Sequence, residues 1–377
     1  MLKSLSAINQ KSIKIGSTML GLILSFVLAI GIYSYTTGKK VTIKPPEIKS
    51  PVSLNNSTVS EPKKMSISDN STKIMAWVYP GSPACSAITE YQDGRKIDIL
   101  KPEYLKLDPN GEIVTLTDKD YDCNGYSKEN IELIKKNSKE AIFMVSGRMD
   151  GLTPLFKSKE KIDKSIDTII KVLDESGFDG VEIDFEDYGS WTDLQYTKYK
   201  EYIKQLGDKI HEKGKKLSID VPAIINDRYQ SFYKLKYEDF NDLPIDYFTL
   251  MAYDFQYDNG VGSPVASYED ITNTIKWAKN KYKKTENIVV GINNYGYYGK
   301  SGDYKMTLVT TKAIKDKFKN ITTHRDPNSG EIFGKRGNEE FVYSDTESMD
   351  KKREIVEKEG INKISVWHLG GNSWFSK

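Results

Sequence analysis

Histidine and cysteine are scarce in this chain of 377 residues, at three and two. His211, His324 and His368 lack ligand spacing, so neither a metal centre nor any other cofactor is expected. Clusters of positive charge are missing as well. The net charge is +2, and residues 1–72 hold nine lysines against three acids, which leaves the remainder mildly acidic. Without a basic patch, nucleic acid is not expected as a partner. There is no repeat of fixed period. No glycine-rich phosphate turn follows the first apolar run of the main body, where Tyr79-Pro80-Gly81-Ser82-Pro83 stands instead. That speaks against a dinucleotide-binding open sheet.

Charge is absent altogether from Ile15 to Tyr35, a run of 21 residues rich in Leu and Ile. This is long enough to cross a bilayer as a helix. Lys3, Lys11 and Lys14 precede it, which places the N-terminus in the cytoplasm and the body outside. A cleaved signal peptide is the rival reading, but no clear small-x-small site follows Ala29. Residues 1–38 therefore read as a stub and membrane anchor. Residues 39–72, rich in Lys, Pro, Ser, Thr and Asn, read as a disordered linker. Cys85 and Cys123 lie in the exported part, where a disulfide is chemically allowed; spacing leaves a bond and two thiols equally open.

From residue 73 to 377, short apolar runs alternate with helical patterns. Strands are predicted at Ile74–Tyr79, Ile97–Leu100, Ala141–Ser146, Gly180–Glu186, Lys216–Pro222, Tyr247–Tyr253, Ile288–Asn293 and Lys363–Trp367. Ile162, Ile166, Ile169, Ile170 and Leu173 recur at helical spacing before Gly177, as do Tyr199, Ile203, Leu206 and Ile210 before Gly214. Ile271, Ile275, Ala278 and Tyr282 mark a third helix. Eight strands alternating with helices predict an α/β fold, a (β/α)₈ TIM barrel. A small antiparallel insertion is expected at Ile321–Tyr343, between strands seven and eight, around the turn Asp326-Pro327-Asn328-Ser329-Gly330.

The fourth strand is the most informative segment. Glu182, Asp184 and Glu186 alternate with Val181, Ile183 and Phe185, so three carboxyls share one face and the other face is apolar. Carboxyls so close cannot all ionise, and a protonated acid beside an ionised one suits glycosidic bond cleavage. A different acidic run, Asp118, Asp120, Asp122 and Glu129, has calcium-loop spacing, but Cys123 stands where that loop requires Gly. It reads as a solvated loop. Tyr79, Tyr295 and Tyr297 fit sugar stacking and barrel core equally well.

Asp179-Gly-Val-Glu182-Ile-Asp184-Phe-Glu186 resembles the Asp-x-x-Asp-x-Asp-x-Glu signature of glycoside hydrolase family 18. Lys96–Gly111, Met251-Ala-Tyr253-Asp254 and Gly291-Ile-Asn-Asn-Tyr295-Gly are similar to further family elements. Tyr343–Ser348 through Trp367–Gly370 resembles the closing segment of its peptidoglycan-active branch. The resemblance implies that Glu186 is the general acid, and that Asp184 orients the substrate's acetamido group, whose carbonyl oxygen is the nucleophile. It implies that Tyr253 hydrogen-bonds the same carbonyl, that Asp254 contacts the sugar or the water path, and that Trp367 forms an apolar floor. Asp179, Tyr79 and Tyr295 join the expected substrate-binding set. Two departures stand out. Glu182 replaces an Asp that in the family shares a proton with the residue at 184, and Val145-Ser-Gly-Arg148 keeps only part of a Ser-x-Gly-Gly element.

The implied activity is retaining, substrate-assisted hydrolysis of β-1,4 bonds following N-acetylglucosamine, by a monomer tethered through residues 15–35. A modest insertion would leave a shallow cleft, favouring cell-wall or cortex glycan over crystalline chitin. The alternative is a silent lectin of the same fold, against which the joint presence of Glu186, Asp184 and Tyr253 argues.

Overall fold

The computed structural model describes residues 71–376, apart from 82–84, 86, 91–96 and 122. The span expected at 15–35, and the linker up to residue 70, lie outside the described residues. Among the described residues no helix is long and apolar enough to cross a membrane.

Eight parallel strands close into a barrel: β1 Lys73–Val78, β2 Ile97–Leu107, β4 Ser138–Gly147, β5 Gly180–Phe185, β6 Lys216–Pro222, β7 Tyr247–Met251, β8 Ile288–Asn293 and β14 Lys363–Trp367. Closure comes from β1, which pairs with both β14 and β2. The short β3, Ile113–Thr115, hairpins onto the end of β2. The predicted TIM barrel is present, with each expected strand within a few residues of its place except the second, which runs on to Leu107.

Local chemistry explains the helices. Ser158 caps the helix Lys159–Ser176 by accepting from Lys161 N–H, and Gly177 ends it at φ +61°, a conformation cheap for glycine. Ile162, Ile166, Ile169 and Leu173 are buried on its inner face. Thr192 with Gln195 and Ser267 with Asp270 form capping boxes on the helices Asp193–Glu212 and Tyr268–Lys281. The apolar face of β5 meets this layer: Phe185 stacks on Tyr202 with ring centroids 5.7 Å apart. Truncating such a buried ring costs roughly 3–5 kcal/mol, so the position of the acidic face depends on this packing.

The insertion is larger than expected. Five antiparallel strands, β9 Gly296–Lys300, β10 Met306–Val309, β11 Thr323–Arg325, β12 Ile332–Arg336 and β13 Glu339–Tyr343, form a sheet in the order β10-β9-β13-β12-β11. It begins at Gly296, not Ile321. The glycines of Gly296-Tyr-Tyr-Gly299 suggest a loop, yet a side chain at Gly296 would collide with Val342 O and Tyr343, so glycine is what lets β9 pair closely with β13. Ile314, Phe318, Ile332, Phe341 and Tyr343 give the sheet its own core. It contributes Tyr297 and Leu308 to the wall of a cavity at the barrel mouth. The antiparallel insertion expected between strands seven and eight is thus present, with more strands and an earlier start than expected.

Candidate active site

The lumen is layered. Nearest the N-terminal ends of the strands, Met75, Ile99, Ile142, Tyr247 and Val289 form a buried apolar layer. Above it stands a polar one. Glu182 is fully buried; its Oε2 accepts from Trp77 Nε1 at 2.6 Å, and its Oε1 accepts from Lys101 Nζ at 2.6 Å and Ser218 Oγ at 2.8 Å. The Lys101 ammonium also lies 3.7 Å from the Trp77 ring centre. Glu182, the departure from the family's Asp, is thus held in this layer by a buried cation, an indole N–H and a hydroxyl. Its Oε1 pairs with the buried cation and its Oε2 with the indole of Trp77.

Asp184 lies one step nearer the mouth. Its Oδ1 is buried and has no hydrogen-bond partner among the described residues. Burial, reinforced by the charges of Glu186, Glu103 and Glu182, holds this carboxyl well above the usual range. Glu186 follows the last residue of β5, its N–H bonded to Gly147 O at 2.9 Å. Burial raises its pKa too, opposed by Arg148, whose Nη2 sits 2.5 Å from Glu186 Oε2. Two further carboxyls face the same space. Glu103 on β2 accepts from Ser146 Oγ at 2.5 Å, and Asp220 on β6 has a buried, unpartnered Oδ1; burial raises both. Carboxyls whose pKa values are raised by burial can supply a proton to a leaving oxygen.

Tyr253 and Asp254 follow β7. Asp254 adopts the left-handed conformation at φ +67°, which turns its carboxylate to accept from Tyr295 Oη at 2.6 Å and Tyr297 Oη at 3.1 Å. Trp367 ends β14 with its ring edge-on to Trp77 and Tyr79. A cavity of about 550 Å³ brings together Tyr79, Asp184, Glu186, Tyr253, Asp254 and Trp367. A second, of about 580 Å³, is lined by Asp187, Tyr229, Tyr233 and Tyr257. Glu186, Arg148, Tyr253 and Asp254 border both, so Glu186 stands where the two halves of one cleft meet.

Three expected residues lie elsewhere. Asp179 precedes β5 at the opposite end of the barrel, where its Oδ2 accepts from Ala141 N–H at 2.9 Å; it ties two strands together and does not line the cleft. Tyr295 is wholly buried and reaches the cleft only through its bond to Asp254, whereas Tyr297 borders the cavity directly. Glu182 lies beneath the cavity, in the layer already described. Asp118, the first member of the acidic run, is occupied by Gly125 N–H and the Asn130 side chain, and Cys123 is bonded to Cys85. The disulfide settles the open alternative for the two cysteines. Glu103, Asp220 and Arg148 were not anticipated. Ser218 and Asp220 do alternate with Leu217, Ile219 and Val221 in the sequence, the same signal that marks β5.

The sequence profile of glycosyl hydrolases family 18 matches residues 75–372. The chain belongs to that family. Within it, the chain is 24% identical over 214 residues to the Bacillus subtilis (strain 168) protein named "Putative sporulation-specific glycosylase YdhD", a match covering 54% of this chain and 50% of that one. The chain thus spans about half the length of this relative. The fold is similar to the crystal structure of the Bacillus cereus spore cortex-lytic enzyme SleL, with TM-score 0.64 and 16% identity over 81% of this chain and 75% of that one. It is also similar to a mutant class V chitinase from Nicotiana tobaccum in complex with NAG4, with TM-score 0.63 and 17% identity over 80% and 95%. The matched residues of family 18 take in all eight barrel strands but the first two residues of β1.

Proposed function

We propose that this protein hydrolyses β-1,4 glycosidic bonds following N-acetylglucosamine, with retention of configuration and with the substrate's acetamido oxygen as nucleophile. The observation that carries the reading is the buried, unpartnered Oδ1 of Asp184 in a cavity it shares with Glu186, Tyr253 and Trp367. An unsatisfied buried acceptor is costly, and an acetamido N–H would satisfy it. In this reading Glu186 protonates the leaving oxygen while the acetamido carbonyl closes on the anomeric carbon. Asp184 supports the positive charge that develops on the ring so formed, and Tyr253 hydrogen-bonds the same group. Water then opens the intermediate with Glu186 as base. The flat indole of Trp367 lies beneath the sugar, and Asp254 is held for the substrate by two tyrosine hydroxyls.

Cell-wall or cortex glycan is the proposed substrate, supported by the likeness to a spore cortex-lytic enzyme; the complex of the tobacco chitinase with NAG4 supports an N-acetylglucosamine unit at the point of cleavage. The proposed location is outside the cytoplasm on a tether through residues 15–35. The test is to incubate the full-length chain with purified peptidoglycan and with chitooligosaccharides, then identify new reducing ends and their first-formed anomer. N-acetylglucosamine reducing ends released as the β-anomer are expected. The α-anomer, or muramic acid at the new end, would refute the reading, and binding without new ends would establish a lectin instead.

A further inference from the structure

We propose that Arg148 makes this cleft selective for glycans whose sugars carry carboxylates. The inference rests on the glycosidase reading of the cleft and names the chemistry of its substrate. Arg148 follows the last residue of β4 and caps the helix Met149–Phe156. Asp187 steadies it, accepting from Met149 N–H at 2.9 Å through one oxygen and from Arg148 Nη1 at 3.2 Å through the other. The second nitrogen, Nη2, pairs with Glu186. The side chain remains 66% exposed and borders both halves of the cleft, so a guanidinium stands where the reacting bond would lie. Lys106 adds a second cation to the cavity of about 550 Å³. The deep carboxyls Glu103, Asp184 and Asp220 are pushed towards their neutral forms by burial, which lessens their repulsion of an anion.

A guanidinium offers a planar fork that matches a carboxylate. With a neutral glycan bound, Arg148 stays on Glu186 and favours the ionised form, which has no proton to give. A carboxylate on the substrate competes for Nη2 and draws the cation away, and Glu186 keeps its proton. The charge of the substrate therefore strengthens binding and also readies the acid.

The experiment uses the full-length protein and two glycans: peptidoglycan strands stripped of peptides, which bear lactyl carboxylates, and the same strands after reduction of those groups to alcohols. Binding is measured by calorimetry and cleavage by new reducing ends. The wild type should bind the carboxylate form on the order of tenfold more tightly, as one charged hydrogen-bonded pair allows, and should cut it faster. Arg148→Gln should erase both differences, and Arg148→Lys should keep part of them. Equal binding of the two strands by the wild type, or an undiminished preference in Arg148→Gln, would overturn the proposal. Failure of the glycosidase reading would look different, as preferential binding with no new ends. A polymer of N-acetylglucosamine and glucuronate identifies the source of the carboxylate. Binding equal to the lactyl strands assigns the preference to any ring carboxylate, and weaker binding assigns it to the lactyl group.

Discussion

Lys101 and Glu182 meet in the barrel lumen with 2.6 Å between Nζ and Oε1, and the two side chains are 1% and 0% exposed. Removing one member of such a pair leaves an uncompensated charge in a medium that solvates it poorly. Lys101→Met should therefore cost about 3–5 kcal/mol. Glu182→Asp restores the residue usual in the family, but it withdraws the carboxylate by a methylene from Lys101, Trp77 and Ser218, and it should destabilise the fold. Replacing both partners, as Lys101→Met with Glu182→Leu, should recover much of the loss. Urea denaturation of the three variants tests the prediction; a Glu182→Asp variant as stable as the wild type would refute it.

Glu186→Gln should lower cleavage by about 10²–10⁴-fold, the usual contribution of a positioned acid, with glycan binding retained. The amide keeps the shape but holds no transferable proton. Single-turnover assays beside calorimetry separate the two effects, and cleavage at the wild-type rate would remove Glu186 from its assigned role.

The pH dependence follows from the groups that face Glu186. Arg148 favours its ionised form, while Asp187, Asp254 and the nearby Asp184 oppose it. A general acid works while protonated, so activity should fall as the pH rises through the Glu186 pKa. Arg148→Gln removes the cation and raises that pKa, so the alkaline limb should move to higher pH. A profile measured with a neutral oligosaccharide should show this direction; a shift to lower pH contradicts the assignment.

Asp345 supports the closing segment of the barrel. Burial works against its ionised form, but Arg325 and the N-terminal N–H of Ser348 prevail and bring its pKa down to about 2. A depressed carboxyl pKa adds stability that is complete above the unfolded value near 3.8 and is lost as the pH falls through about 2. Asp345→Asn should cost on the order of 2 kcal/mol at neutral pH and leave the variant less sensitive to acid below pH 4. Denaturation midpoints at pH 7 and pH 3 check both parts.

Tyr295→Phe should reduce turnover by about tenfold, since one hydrogen bond to a charged group is lost from Asp254. The ring itself still fills its buried site and Tyr297 still bonds Asp254, so the loss of stability should stay within about 1–3 kcal/mol. Comparison of kcat with the melting temperature distinguishes the two.

The acidic face of β5 was legible because alternation is a local signal, set by strand geometry alone. The eight strands and their helices were legible for the same reason. Lys101 was not, because its partner is 81 residues away in sequence and the two are brought together only by closure of the barrel. Glu103 was hidden by a register shift between Glu103 and Leu105, which breaks the alternation of β2 as it reaches the mouth. Asp179 was misplaced although its position before Gly180 puts it at the N-terminal end of the strand, away from the mouth. The insertion was underestimated because the glycines that allow β9 to pair are the residues that usually mark loops.

The buried apolar layer of Met75, Ile99, Ile142, Tyr247 and Val289 has a topological effect on traffic through the molecule. It closes the barrel like the base of a cup. Among the described residues, the cavities that Glu186 borders open at the opposite rim, where sugar and water would come and go. The water that completes a turnover would then enter by the opening the departing half of the glycan has just cleared, which imposes an order on the two exchanges.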